Sequence, residues 1–342
     1  MLTVELDYPL PPEAVAQTPV EPRHASRLLD TRTLTHRTFL ELADLLEAGD
    51  LLVVNKTRVR AARLRGVKVG TGGRVEALVL RRLPAERWEA LLRPSRRLRP
   101  GVLLQFGPLR AEVVSGPVDG VAVLDLSGPG EVEELVEQEG EVPLPPYISR
   151  SLQDPERYQT VFASRLGSSA APTAGLHFTN RVLEALARKG VERTEIDLEV
   201  GWATFRPIGA ARIEDHPMGV ERFRLPDEAA AAVERCRAKG GRVVAVGTTV
   251  VRTLETCASS DGLVTPGEGQ TRLYVTPGYR FRVVDLMVTN FHAPRSSLLA
   301  LVWAFMGEEW REAYRTALEH GYRFLSFGDA MLAERHPGMG RE

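Results

Sequence analysis

Only two cysteines, Cys236 and Cys257, occur in 342 residues. That is too few for a disulfide framework or a tetrathiolate zinc site, and both are expected as small buried hydrophobes in a reducing compartment. No His-Glu-x-x-His or clustered His/Cys pattern is present, so no metal centre is expected. A Gly-x-Ser-x-Gly elbow is missing, and Gly70 to Val75 (GTGGRV) has neither the Lys-Ser/Thr of a Walker loop nor dinucleotide spacing, which leaves a hairpin turn. The longest apolar run, Leu298 to Met306, is well short of the ~20 residues of a membrane span. Met1 to Pro12 lacks the basic and apolar regions of a secretory leader, and the expectation is a cytoplasmic protein. Net charge is also lacking: 44 Lys+Arg stand against 45 Asp+Glu, which excludes an acidic disordered chain and a uniformly basic nucleic-acid coat.

That balance hides a split. Lys56 to Arg110 holds 15 basic residues and three acids, a local charge of +12, and leaves −13 elsewhere; Ala111 to Glu141 then has nine acids and no Lys or Arg. A one-signed surface of this kind suits a polyanion. The same region reads as short β-like runs, Val75 to Leu80, Trp88 to Leu92, Val102 to Phe106, Arg110 to Val114 and Val121 to Leu126, divided by Gly and Pro. They suggest a small antiparallel β-barrel inserted at 61–144. The flanking segments, 1–60 and 145–342, alternate strand and helix and predict a discontinuous α/β domain with a mixed sheet. Its expected elements include a helix after the Thr38/Glu41 capping box, a buried strand at Leu51 to Asn55, a helix from Thr179 to Gly190, a strand over Val191 to Val200, a helix opened by Pro226 and Asp227, and a strand with a turn at Tyr274 to Val284.

Four polar stretches fall where apolar elements end. Ala171 to Thr179 (APTAGLHFT) places Thr173, Gly175 and His177 before a helix cap, where free amides suit an anion or a hydroxyl. Glu199 to Pro207 (EVGWATFRP) combines a carboxylate, the aromatic faces of Trp202 and Phe205, and the Arg206 fork. Val246 to Glu255 (VGTTVVRTLE) runs from a strand through Thr248 and Thr249 into a helix carrying Arg252 and Glu255, which are spaced for an intrahelical salt bridge. Thr289 to Ser297 (TNFHAPRSS) brings His292 and Arg295 ahead of another helix.

APTAGLHFT and VGTTVVRTLE, with LPPEAVAQTPVEPRHASRLL, DLLVVNKTRVRAARL, GEVPLPPYI, ERYQTVFA, TNFHAPRSSLLALVWAF and YRFLSFGDAML in order from about Leu6 to Leu332, resemble the S-adenosylmethionine:tRNA ribosyltransferase-isomerases of queuosine biosynthesis. The resemblance implies an α/β domain carrying a small β-barrel, a cytoplasmic location, no metal and no protein partner. It also implies a reaction in which the ribosyl moiety of S-adenosylmethionine, a consumed co-substrate and not a cofactor, is transferred and isomerised onto 7-aminomethyl-7-deazaguanine at the tRNA wobble position. Epoxyqueuosine-tRNA, adenine and methionine are the products. Three positions depart from the family pattern. Glu199-Val200-Gly201 stands for the usual His-Val-Gly, Gly219 replaces the second histidine of His-x-Met-His after His216, and Lys56 stands where Asp or Asn is common.

Such a reaction needs a base for the carbon beside the sulfonium and an acid for departing adenine. The candidates are His177, Glu199, Glu255 and His292. Thr173, Gly175, Trp202, Phe205, Arg206, Thr248, Thr249 and Arg252 are candidates for holding S-adenosylmethionine. Arg58, Arg81, Arg82, Arg93, Arg96, Arg97 and Arg295 are the candidates for tRNA.

Overall fold

The structure, a computed structural model, describes residues 1–339. It divides into two compact units, Met1–Arg58 with the chain from Pro145 onward, and Val59–Leu144.

In the larger unit the run Leu51–Asn55 is apolar without alternation, and such a strand is stable only when covered on both faces. It occupies the middle of a nine-stranded sheet, ordered Gly267–Thr271, Glu221–Leu225, Glu192–Leu198, Leu51–Asn55, Val243–Val246, Leu286–Asn290, Ala330–Glu334, Arg27–Asp30, Thr35–Thr38. Glu192–Leu198, Leu51–Asn55, Val243–Val246 and Leu286–Asn290 run parallel, with Glu192 beside Leu51 and Val244 beside Leu286. Antiparallel strands flank these four on both sides, so the sheet is mixed. Leu51 and Val53 face one core with Val243 and Ala245; Leu52 and Val54 face a second with Val244 and Val246. Helices Asp227–Ala238, Thr248–Thr256 and Ser297–Met306 contribute to the first core, and Asn180–Lys189 to the second.

Local signals account for several boundaries. Thr179 accepts the amide of Val182, and Gly190, at φ +86°, closes the helix Asn180–Lys189. The proline-rich N-terminus stays extended apart from single turns and is pinned by main-chain bonds between Ala14, Ala16 and Phe324. Residues 274–284, expected to include a strand, form none, because the amides of Arg282, Val283 and Val284 are donated to the Glu255 carboxylate and not to a neighbouring strand.

The smaller unit is a closed barrel of six strands in the order Val121–Ser127, Arg87–Arg93, Arg74–Arg82, Arg63–Lys68, Leu103–Phe106, Leu109–Val118. Its interior is filled by Leu64, Ala77, Trp88, Leu92, Leu104, Phe106, Val113 and Leu124, all buried. The sixth strand, Arg63–Lys68, was not among the five expected runs: its charges mask the single deep anchor Leu64. Gly66 is required there, since a Cβ would stand 2.0 Å from the Gln105 carbonyl oxygen of the adjoining strand. The short acidic helix Val132–Glu139 packs only Val136 fully into this core. Among the described residues no helix is long and apolar enough to cross a membrane.

Candidate active site

Four parallel strands ending together leave a row of strand-to-loop junctions, the position at which open α/β sheets bind ligands. Asn55, Glu199, Gly247 to Thr249, and Asn290 stand at these carboxyl ends, and three of the four polar stretches of the sequence therefore converge. The fourth, Thr173 to His177, joins them through Asn290. The Thr173 hydroxyl donates to Asn290 Oδ1 at 2.9 Å, and Asn290 Nδ2 stands 3.1 Å from His177 Nε2 and 3.3 Å from the Asp329 carbonyl. This arrangement makes Nε2 the acceptor and puts the His177 proton on Nδ1, where it is donated to Ser26 Oγ at 2.7 Å. His177 is 5% exposed and stacked on Phe39. Burial, with the Arg323 and Arg23 charges, pushes its pKa down to about 3, so the ring is neutral and engaged at both nitrogens.

His292 is also a core histidine. Its Nε2 lies 2.9 Å from the Thr289 hydroxyl, its amide donates to the Tyr314 hydroxyl, and burial lowers its pKa to about 3. Glu255 departs from the expectation of an acid at the site. It lies near the far end of helix Thr248–Thr256, about 10 Å along the axis from the strand end, with both oxygens occupied by the three amides and the Tyr279 hydroxyl. Burial raises its pKa against those donors. The intrahelical Arg252–Glu255 pair that their spacing allows does not form.

Arg252 pairs instead with Glu221, a residue that sequence reasoning passed over. Both side chains are under 10% exposed. Arg252 Nε also donates to the Leu273 carbonyl at 3.0 Å, while the second Glu221 oxygen accepts the Gly201 amide at 3.0 Å and the Thr204 hydroxyl at 2.9 Å. Arg252 is thereby a support of the turn Trp202–Phe205 and not an open ligand fork. That turn holds half-buried Trp202, with the Arg206 guanidinium 5.2 Å from its ring centre, and Phe205 edge-on to Tyr147 at 6.1 Å. Nearby, burial and the Arg206 charge lower the His216 pKa.

Glu199 is the half-exposed carboxylate of the group. Its amide donates to the Arg222 carbonyl, and its side chain lies against Gly167, where a Cβ would come within 3.1 Å of Glu199 Oε1. Thr249 Oγ1 lies 3.4 Å from Asn55 Nδ2, which also donates to the Leu198 carbonyl, so Asn55 ties two strand ends together. Thr248 is buried beside Gly247, whose φ of +87° turns the strand into the helix. Gly175 is explained by packing: a Cβ there would meet Thr160 and Phe162 at 2.8 and 2.9 Å. Asn55 and Asn290 lay inside quoted stretches without being singled out, and Glu221 lay in none; the available signal was a polar residue closing or opening a buried strand.

The candidate tRNA arginines separate by their partners. Arg58 pairs with Glu156 and Arg295 with Asp7, Arg81 with Glu89 and Arg82 with Glu86. Arg96, Arg97 and Arg99 are exposed around buried Leu98 on the barrel loop that follows Arg93, the exposed last residue of strand Arg87–Arg93, and among the described residues none of the four has a carboxylate partner. Among the described residues no group of three His, Cys, Asp or Glu side chains is placed to hold a metal ion.

A family model described as Queuosine biosynthesis protein matches residues 3–333. The chain is 51% identical to the S-adenosylmethionine:tRNA ribosyltransferase-isomerase of Symbiobacterium thermophilum over 335 residues, 96% of this chain and 98% of that protein. It is 51% identical to the protein of the same name from Moorella thermoacetica over 336 residues, with the same coverage. Among solved structures, the S-adenosylmethionine tRNA ribosyltransferase of Thermotoga maritima aligns at 38% identity and a TM-score of 0.54, over 96% of this chain and 99% of that one.

Proposed function

The chain belongs to the queuosine biosynthesis protein family, and from that premise we propose that it is an S-adenosylmethionine:tRNA ribosyltransferase-isomerase acting in the cytoplasm. Its substrates in this reading are S-adenosylmethionine and a tRNA bearing 7-aminomethyl-7-deazaguanine at the wobble position; its products are epoxyqueuosine-tRNA, adenine and methionine. The observation that carries the reading is the convergence of Glu199, the Trp202–Phe205 turn and the Gly247–Thr249 junction at the carboxyl ends of the parallel strands.

The sulfonium acidifies the adjacent C–H, and a carboxylate open to the site can remove that proton. Glu199 is half-exposed at the strand end, whereas His177 and His292 are buried and their rings are neutral. Both histidines are neutral and Glu255 is tied to main-chain donors, so protonated Glu199 is the acid left to return the proton to departing adenine. The faces of Trp202 and Phe205 suit the sulfonium or the adenine ring, and Arg206, exposed over the Trp202 face, suits the methionine carboxylate. Thr173, Asn290 and His177 hold the covering turn in place. The exposed barrel arginines supply phosphate contacts, and the wobble base must leave its loop to react.

The test is single-turnover adenine release with S-adenosylmethionine and the modified tRNA. Glu199→Gln is expected to slow it by at least about 100-fold with S-adenosylmethionine still bound. Adenine release at the wild-type rate by Glu199→Gln removes the assignment of the base. Salt-sensitive tRNA binding by the wild-type protein without any adenine release removes the enzymatic reading.

A further inference from the structure

Along strand Glu192–Leu198, from Arg193 to Asp197, lies a cleft of about 550 Å³, lined by Lys56, Arg165, Arg193, Arg224, Glu195 and Asp197 among others. Asp197 is two residues before Glu199 in the same extended run, so their Cα atoms lie about 7 Å apart and their side chains leave the same face. The segment Arg165–Ser168 passes both: Arg165 Nε lies 2.8 Å from Asp197 Oδ2, Gly167 faces Glu199, and the Ser168 hydroxyl accepts the Val200 amide. The cleft therefore adjoins the candidate base.

Asp197 is 4% exposed, and its Oδ1 is buried with no hydrogen-bond partner. An acceptor left unpaired in this way is costly, and it is a vacancy for donors that arrive with a ligand. Burial raises the carboxyl pKa, while Arg165, Lys56 and Arg224 act in the opposite direction and favour its ionised form. Arg224 is opposite Asp197 across the strand pair, is exposed, and has no ion pair among the described residues. Arg165, 45% exposed on its side chain, pairs with the carboxylate and lines the cleft.

A carboxylate set among cations matches one edge of a guanine-type base, which offers N1–H and 2-amino donors beside the O6 acceptor. We propose that this cleft receives the extruded wobble base, with Asp197 accepting its N1–H and 2-amino protons, Arg165 or Lys56 donating to O6, and Arg224 meeting a flanking phosphate. The inference rests on the substrate reading above and adds to it the residue that selects the base.

The test uses the full chain and two anticodon stem-loops, one carrying 7-aminomethyl-7-deazaguanine at the wobble position and one carrying the same base without its 2-amino group. Wild-type protein is expected to bind the first about 10- to 100-fold more tightly at fixed salt, the scale of one hydrogen bond to a charged group. Asp197→Asn is expected to reduce that preference to under about threefold with S-adenosylmethionine affinity, measured by calorimetry, unchanged. Equal binding of both stem-loops by wild-type protein overturns the proposal without recourse to any variant, and so does an Asp197→Asn protein that keeps the full preference. The two readings fail separately: discrimination without adenine release removes the proposed reaction and keeps the pocket, whereas adenine release without discrimination does the reverse.

Discussion

Replacing Glu221 by Gln tests whether a buried ion pair organises the site. The substitution keeps an oxygen for the Gly201 amide and the Thr204 hydroxyl but removes the charge that compensates Arg252. Arg252 would then be buried with the Leu273 carbonyl as its principal acceptor and with Nη2 unpartnered, as it already is. Leaving one member of a buried pair uncompensated costs about 3–5 kcal/mol, although the pair itself adds little over an apolar replacement. Glu221→Gln and Arg252→Met are each expected to lose about 3 kcal/mol or more in urea unfolding. The double variant should recover part of this, for a coupling of about 2 kcal/mol. Because Glu221 holds the start of the Trp202–Phe205 turn, the single variants should also raise KM for S-adenosylmethionine at temperatures where the fold persists. Losses under about 1 kcal/mol that simply add in the double variant would refute the reasoning, since they would show that the pair is solvated and holds nothing.

Three further outcomes follow from the geometry. His177 and His292 have folded pKa values of about 3 against about 6.5 unfolded, so below pH 6.5 the unfolded chain binds more protons and stability falls with pH until about 3. At pH 5 each contributes a loss of about 2 kcal/mol relative to pH 7.5, which His292→Gln should partly abolish; a flat urea midpoint between pH 7.5 and 5 would contradict this. Glu255→Gln presents an amide to main-chain donors and should cost about 1–3 kcal/mol without changing the pH profile of adenine release, and a displaced profile would restore Glu255 as the acid. Removing Arg96, Arg97 and Arg99 together should reduce the slope of log affinity for tRNA against log salt by about 2, while Arg81→Ala, with Glu89 already on that guanidinium, should change it less; equal slopes for both variants would contradict the division.

The elements legible in the sequence were those whose local chemistry points one way. The capping residues Thr179 and Gly190, the doubly buried run Leu51–Asn55 and the apolar alternation of most barrel strands all agree with the fold. Arg63–Lys68 escaped notice because it is selected by tertiary closure: one leucine and a glycine suffice where a neighbouring backbone supplies the rest. The site shows the same division. Glycines, threonines and histidines at junctions were visible as motifs, but a motif does not say which side chain stays open. His292 and Glu255 carry the right chemistry and are occupied by a threonine hydroxyl and by main-chain amides. Glu221 and Asp197 are strand residues without a motif: the helix Thr248–Thr256 against the sheet brings Arg252 to Glu221, and the cross-strand register brings Arg224 to Asp197.

The charge distribution is decided in the same way. The +12 of Lys56 to Arg110 suggested a broad basic face, yet charge held by a neighbouring carboxylate gives little to a distant phosphate. Arg60 pairs with Glu133, Arg63 with Glu76, Arg65 with Glu141, Arg81 with Glu89 and Arg82 with Glu86. Exposed pairs of this type are worth little to stability, so their main effect is to cancel field across the strands of the barrel wall. What remains densest is Arg93 at the end of its strand with Arg96, Arg97 and Arg99 on the loop that follows, where Leu98 is buried and the arginines are exposed; Lys68, whose ammonium donates to the Arg97 carbonyl, and Arg74, Arg87 and Arg110 also have no carboxylate partner among the described residues. A concentrated cluster steers a polyanion better than the same charge spread over paired strands, because screening removes contributions from beyond about 8–10 Å. The acidic run from Ala111 to Glu141 therefore need not oppose RNA binding: Glu133 and Glu141 are engaged with Arg60 and Arg65, and the arginine loop keeps its positive charge.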